Sequence, residues 1–160
     1  MRACIIAAAL ALVAIAPPAA AQEPGAVRRA GQDPAAYIIP AQRAFEHYEG
    51  VRAALAADSL ADTTPHAKEL AATVEAVGGA EAKKHADALA AATTIEEARK
   101  HFGELSVILV PKFQEEKIEG GNAYYCSMKK LPWMQKGDRV QNPYYGKSML
   151  TCGSPLTPKK

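Results

Sequence analysis

The sequence predicts an all-α fold: a four-helix up-and-down bundle followed by an irregular C-terminal segment that carries cysteine and methionine. Three observations lead there. Apolar residues recur at spacings of three and four through most of the stretch 39–119. The connections between these periodic runs are short, which favours antiparallel neighbours. After Gly120-Gly121 the period disappears and the composition changes.

The first helix is expected from Pro40, placed in the opening turn where its missing N–H costs nothing, to about Ala57. Its apolar stripe is Ala41, Ala44, Phe45, Tyr48, Val51, Ala54 and Leu55. A second helix is expected to open at Thr64-Pro65 and to run through Ala67, Leu70, Ala71, Val74 and Val77 to a stop at Gly78-Gly79. A third, rich in alanine, spans about Ala80 to Ala91. Thr94-Ile95-Glu96-Glu97 fits a capping box, in which Thr and the later Glu satisfy each other's backbone donors. It opens a fourth helix with Ile95, Ala98, Phe102, Leu105 and Leu109 on one face, ending at Pro111 or soon after. Many inward positions are alanine, so the helices can approach closely while each buries modest area.

Ahead of the bundle, Arg2 and the apolar run Ala3–Ala16 lead to Pro17-Pro18 and then Ala19-Ala20-Ala21, the pattern of a cleaved secretory signal over residues 1–21. The run is 14 residues long, against the roughly 20 needed to span a bilayer. Cys4 leaves with it. Residues 22–38 read as a loose arm, 39–119 as the bundle, 120–154 as a site segment packed on it, and 155–160 as a tail. The expected location is the periplasm. Removing Arg2 from 19 basic residues leaves 18 against 17 acidic, interspersed. That balance gives no electrostatic case for nucleic acid or an anionic membrane surface. No second long apolar run suggests a membrane span.

Residues 122–153 hold four of the six tyrosines, the only tryptophan, both cysteines that survive signal cleavage and three of the four methionines. Two short sulfur pairs stand out: Cys126-x-Met128 and Met149-x-x-Cys152. Thiolate and thioether donors select soft ions, Cu(I) above all, and are poor for Mg²⁺ or Ca²⁺. A closing loop would bring the pairs together as four sulfur ligands, with Lys129, Lys130 and Lys147 offsetting the charge. Zinc takes thioether poorly. Trp133 can pack as a core anchor or cover the ion as a hydrophobic lid. The competing reading is a structural disulfide between Cys126 and Cys152, closing a loop of 25 intervening residues and contributing roughly 3 to 4 kcal/mol on the chain-entropy model. In that case Tyr124, Tyr125, Tyr144, Tyr145 and Trp133 form a protein-contact patch. The four histidines, His47, His66, His85 and His101, fall on expected helices without a ligand-spaced pair. They read as structural or surface groups, with His66 and His101 the two worth testing as auxiliary ligands. No C-x-x-C, G-x-S-x-G, H-E-x-x-H or Gly-rich phosphate loop points to catalysis, and no enzyme is expected.

Tyr124-Tyr125-Cys126-Ser127-Met128, Trp133, and the run from Asn142-Pro143-Tyr144-Tyr145-Gly146 through Met149 to Cys152-Gly153 together resemble an exported family of unassigned function. Its members end in a Y-x-C-P-M … W … N-P-Y-x-G-x-x-M-x-x-C-G pattern. That domain occurs alone and fused to periplasmic adaptor subunits of heavy-metal efflux pumps. Tyr48-x-x-Val51-x-x-Ala54-Leu55 and Arg99-x-x-Phe102-x-x-Leu105-Ser106 match its first and last helices more loosely. The resemblance spans about Arg43 to Gly153. It implies a helical bundle bearing a copper-related sulfur site at Cys126, Met128, Met149 and Cys152, serving copper buffering or delivery to an efflux component. Ser127 stands where that family has proline, which loosens the first turn.

Overall fold

A computed structural model describes residues 39–156. The expected signal segment 1–21, the arm 22–38 and the end of the tail lie outside the described residues. Four helices come first: α1 (Pro40–Ala56), α2 (Leu60–Thr73), α3 (Glu75–Ala90) and α4 (Ile95–Glu115). Three strands follow, β1 (Gly121–Cys126), β2 (Leu131–Lys136) and β3 (Ser154–Pro155), with a short 3-10 turn at Gly146–Met149.

The all-α expectation is therefore corrected. The strands form one antiparallel sheet in the order β2-β1-β3. Tyr124 pairs with Trp133 on one side of β1 and with Pro155 on the other. The sheet escapes a periodicity search for physical reasons. β1 alternates over only a few positions, with Tyr124 and Cys126 buried and Tyr125 between them less so. In β2 the consecutive residues Trp133, Met134 and Gln135 are all buried, because the strand packs against α4 and α1 and both of its faces are covered. Pro132, read as a turn signal, sits in β2, an edge strand, where proline is tolerated.

The helix boundaries follow local chemistry. α2 starts at Leu60, earlier than the Thr64-Pro65 expectation, because Ser59 is the cap: its hydroxyl accepts from the Asp62 N–H at 3.3 Å. Thr64 donates instead to the Leu60 carbonyl at 3.2 Å, and Pro65 is carried inside the helix. The expected stop at Gly78-Gly79 coincides with a real break, since Gly79 has φ 71° and ψ −171° within α3. Only glycine adopts that conformation without strain. The capping box of α4 is complete: Glu97 N–H donates to Thr94 Oγ1 at 3.2 Å and Thr94 N–H to Glu97 Oε2 at 3.3 Å.

The core joins α1 to α4 through aromatic rings. Tyr48 lies 4.8 Å from Phe102 and 5.4 Å from Phe113 between ring centroids, and Phe45 meets Phe113 edge-on at 5.4 Å. Buried Ala44, Ala67, Ala82, Ala86 and Ala98 permit close helix approach. Tyr48 also ties the sheet to the helices. Its hydroxyl shares a 2.7 Å hydrogen bond with Ser106 Oγ and accepts from the Met134 N–H of β2 at 3.3 Å. An edge-strand donor is thus covered by a helix side chain rather than left open. Among the described residues no helix is long and apolar enough to cross a membrane.

Tyr48→Phe keeps the ring packing but strips this node of its hydroxyl. The expected loss is about 1–3 kcal/mol, read as a lower urea midpoint with an unchanged helical circular dichroism signal.

Candidate functional site

The chain after β2 leaves the sheet, turns at Asn142-Pro143 and returns through Gly146 and Met149 to Cys152. One fully buried side chain, Asn142, closes this excursion. Its carbonyl oxygen accepts from the Tyr144 N–H at 2.8 Å, its amide donates to the Cys152 carbonyl at 2.5 Å, and its backbone N–H donates to the Leu150 carbonyl at 2.7 Å. Tyr144 is buried, and its hydroxyl donates to the Pro132 carbonyl of β2. Burial first, and then neighbouring Tyr48 and Cys126, push the Tyr144 phenol well above its ordinary range.

Three bundle residues brace the returning segment from outside. Arg99 of α4 donates through Nε to the Pro143 carbonyl at 3.0 Å and through Nη2 to the Leu55 carbonyl at 3.0 Å, and it pairs with Asp58. Asp58, in the α1–α2 turn with φ 60°, also accepts from the Lys147 N–H at 3.1 Å. Gly146 is required at that contact, because it has φ 55° and a Cβ on it would collide with the Asp58 carboxylate and the Arg99 guanidinium. Arg52, buried on α1, donates to Gln141 Oε1 at 3.1 Å and pairs with Glu49 at 2.7 Å.

Beneath the loop lies Trp133, fully buried. Its ring stacks on Tyr124 at 5.4 Å and meets Tyr144 edge-on at 6.1 Å. Its Nε1–H donates to Gln135 Oε1 at 2.9 Å, and the same oxygen accepts from the Gln141 N–H at 3.0 Å. A Cβ on Gly153 would strike the indole. Trp133 is therefore a floor for the loop, which corrects the lid reading in favour of the core-anchor one.

The sequence singled out four sulfur positions. Cys126 ends β1 and is fully buried. The β1–β3 register pairs Tyr125 with Ser154; one further step along it sets Cys126 opposite Gly153 and beside Cys152. Neither cysteine is in a disulfide, and Cys152 is half-buried. The Cys152 thiol is pushed above its ordinary range by loss of hydration first and by Cys126 second, so the two groups are close enough to sense each other. Met149 shares a tight turn with Cys152, whose N–H donates to the Met149 carbonyl at 3.1 Å; its side chain is partly buried. Met128 stands apart, 58% exposed on the turn between β1 and β2. Lys129 lies 5.1 Å over the Tyr145 ring, while Lys130 and Lys147 are exposed. A cleft of about 460 Å³ lies between α4 and this loop, bounded by Arg99, Glu104, Lys129, Leu131, Tyr144 and Tyr145.

The histidines redistribute. His66 is exposed and packs against Gly50, where a Cβ would come 2.5 Å from its Cγ. It serves the α1–α2 contact. His85 and His101, which showed no ligand spacing in sequence, lie side by side with ring centroids 6.3 Å apart, and Glu104 joins them. The sequence marks Asn142-Pro143 and Gly146 as the turn that returns the chain, and the structure has the turn there; Asp58 and Arg99 carry no such local signal, since the partners of Asp58 are 41 and 89 residues away.

Asn142→Ala leaves the Tyr144 N–H and the Cys152 carbonyl without partners. The expected cost is about 2 kcal/mol or more, seen in chemical denaturation together with faster amide exchange confined to residues 142–153. Asp58 predicts a pH effect. Arg99 and the Lys147 N–H hold its carboxyl below the ordinary range, so the folded state favours the charged form. Its contribution is complete above the usual aspartate value near about 4 and is lost as pH falls through the lowered folded value. The denaturation midpoints of wild type and Asp58→Asn should differ at pH 7 and converge on acidification.

Against known proteins, residues 44–120 match the model of a family described as a protein of unknown function (DUF3347). No curated protein and no solved structure matches the chain. The match begins within α1, runs through α2, α3 and α4 and ends at Gly120, ahead of the sulfur-bearing segment. The helical part of the fold is thus similar to that family, whose function is unknown.

Proposed function

We propose that the protein binds Cu(I) outside the cytoplasm, through Cys126 and Cys152 as anionic ligands and Met149 and Met128 as thioether ligands, for buffering or delivery to an efflux component. The observation that carries this reading is the convergence of two thiols from separate segments at the base of a braced loop. Two thiolates and nearby thioethers suit a soft monovalent ion and suit hard divalent ions badly. Cys126 sits on a strand within the core, so its position is set before any metal arrives. Cys152 sits on the loop that Asn142 ties down, and Met149 follows it. Met128, on an exposed turn with Ser127 in place of a stiffer proline, would have to fold inward to contribute. The secretory leader expected at residues 1–21 and the resemblance to domains fused to periplasmic adaptors support the location and the class of partner. Copper binding of this kind requires no turnover.

Binding must expel the thiol protons, and the raised Cys152 value makes that harder near neutrality. Apparent affinity should therefore climb with pH. The same proximity of the thiols favours a second reading, a disulfide staple with no metal. Counting reactive thiols in protein exported and purified without reductant separates the two, followed by anaerobic Cu(I) titration against a chromophoric competitor. Two reactive thiols and effective competition support the copper site; two unreactive cysteines and no competition support the staple. Met149→Leu should weaken Cu(I) binding roughly tenfold or more at unchanged helical circular dichroism, and Met128→Leu should cost less. An unaltered affinity in Met149→Leu would remove Met149 from the ligand set.

A further inference from the structure

Away from the sulfur segment, α3 and α4 bring three donors to one point. His85 lies on α3, and His101 and Glu104 lie one turn apart on α4. His85 Nδ1 is 3.0 Å and His101 Nδ1 is 3.1 Å from the same carboxylate oxygen, Glu104 Oε2. One ligand atom from each of the three residues falls within 4.8 Å of the others. The side chains of His85, His101 and Glu104 are 17%, 26% and 38% exposed, so the point is shielded yet reachable from solvent. The backbone positions are fixed by packing, since buried Ala82, Ala86, Phe102 and Leu105 flank the cluster on the two helices.

From this geometry we infer a second metal site, formed by His85, His101 and Glu104, for a divalent ion of borderline softness such as Zn²⁺. Imidazole and carboxylate donors suit Zn²⁺, Ni²⁺ and Cu²⁺ and are a poor match for Cu(I). Bonds of about 2.0–2.2 Å in tetrahedral geometry place neighbouring donor atoms roughly 3.3–3.6 Å apart. The two N···O separations, 3.0 and 3.1 Å, are slightly shorter than that, so a small rotamer adjustment of Glu104 admits the ion. A carboxylate also stands behind one of the three donors. The other ring nitrogen of His85, Nε2, lies 3.2 Å from Glu81 Oε1 one turn earlier on α3. A carboxylate behind a ligating imidazole fixes the tautomer and orients the ring toward the ion. Glu81 is thus a positioning residue, with Lys84 3.7 Å from the same oxygen. An ion at Nδ1 takes the place of the imidazole-to-carboxylate hydrogen bonds there, and the one proton of each neutral ring then sits on Nε2. The site does not depend on the copper reading, because it shares no residue with it.

The test uses the whole mature chain with Zn²⁺ alone in calorimetry and Co²⁺ alone as a spectroscopic stand-in. The expected result is one saturable equivalent whose Co²⁺ spectrum has ligand-field bands without thiolate charge transfer. His85→Ala and His101→Ala should each abolish that signal, and Glu81→Gln should weaken binding roughly tenfold, all with wild-type circular dichroism. His47→Ala and His66→Ala should leave it untouched. The inference is overturned if no saturable binding occurs, if thiolate charge transfer dominates the spectrum, or if the His85→Ala/His101→Ala double variant binds as wild type does. Because the two histidines are partly exposed, their loss should not unfold the protein. A variant that does unfold is replaced by His101→Gln, in which retained binding counts equally against the site.

Discussion

A guanidinium on the helical bundle is a principal anchor of the C-terminal segment. Arg99 sits on α4 and offers its fork to acceptors from three places in the chain: the end of α1 at Leu55, the α1–α2 turn at Asp58, and the loop at Pro143. A planar donor with fixed geometry suits this better than an ammonium would. Arg52 repeats the strategy from α1 through Gln141. Every buried side-chain polar atom among the described residues has a partner, and these long-range bonds are part of the reason. The loop that carries Cys152 is therefore positioned by the bundle, although most of its own internal bonds are short-range.

The molecule divides its labour between regular and irregular parts. Helices with alanine-rich contacts and one aromatic seam supply rigidity. The small sheet packs against α4, stacks Trp133 on Tyr124 across its strands, and delivers Cys126 into the core. Two donor sets result, different in kind and built from different elements. Sulfur gathers where β1 and the loop meet, while nitrogen and oxygen gather where α3 and α4 run side by side. Soft and borderline donors are thus kept apart in the fold, and the two kinds differ in the ions they suit.

The helical part was largely legible in the sequence because its signals are local. The α1 stripe, the Thr94–Glu97 box and the Gly79 break each depend on residues within a turn or two of one another. The start of α2 was misplaced because Ser59 is an unremarkable residue until its hydroxyl is seen accepting from Asp62, whereas Thr64-Pro65 resembles a conventional opening. The strands were missed because six residues, a proline on an edge and a run of three buried side chains leave no alternation to detect. The four sulfurs were singled out by type and spacing, and chain topology then separates them: Cys126 and Cys152 approach, and Met128 remains in solvent. His85 and His101 were invisible as a pair, since their meeting depends on how far α3 and α4 slide past each other. No spacing within either helix encodes that offset.

The position of Trp133 gives the protein an internal optical probe. It is the only tryptophan in the chain, it is shut away from water, and its ring touches the glycine that follows Cys152. All indole emission thus arises within one residue of a sulfur donor. Any event that shifts the backbone there, or puts a heavy or redox-active ion beside it, registers as quenching or a spectral shift without a label having to be attached.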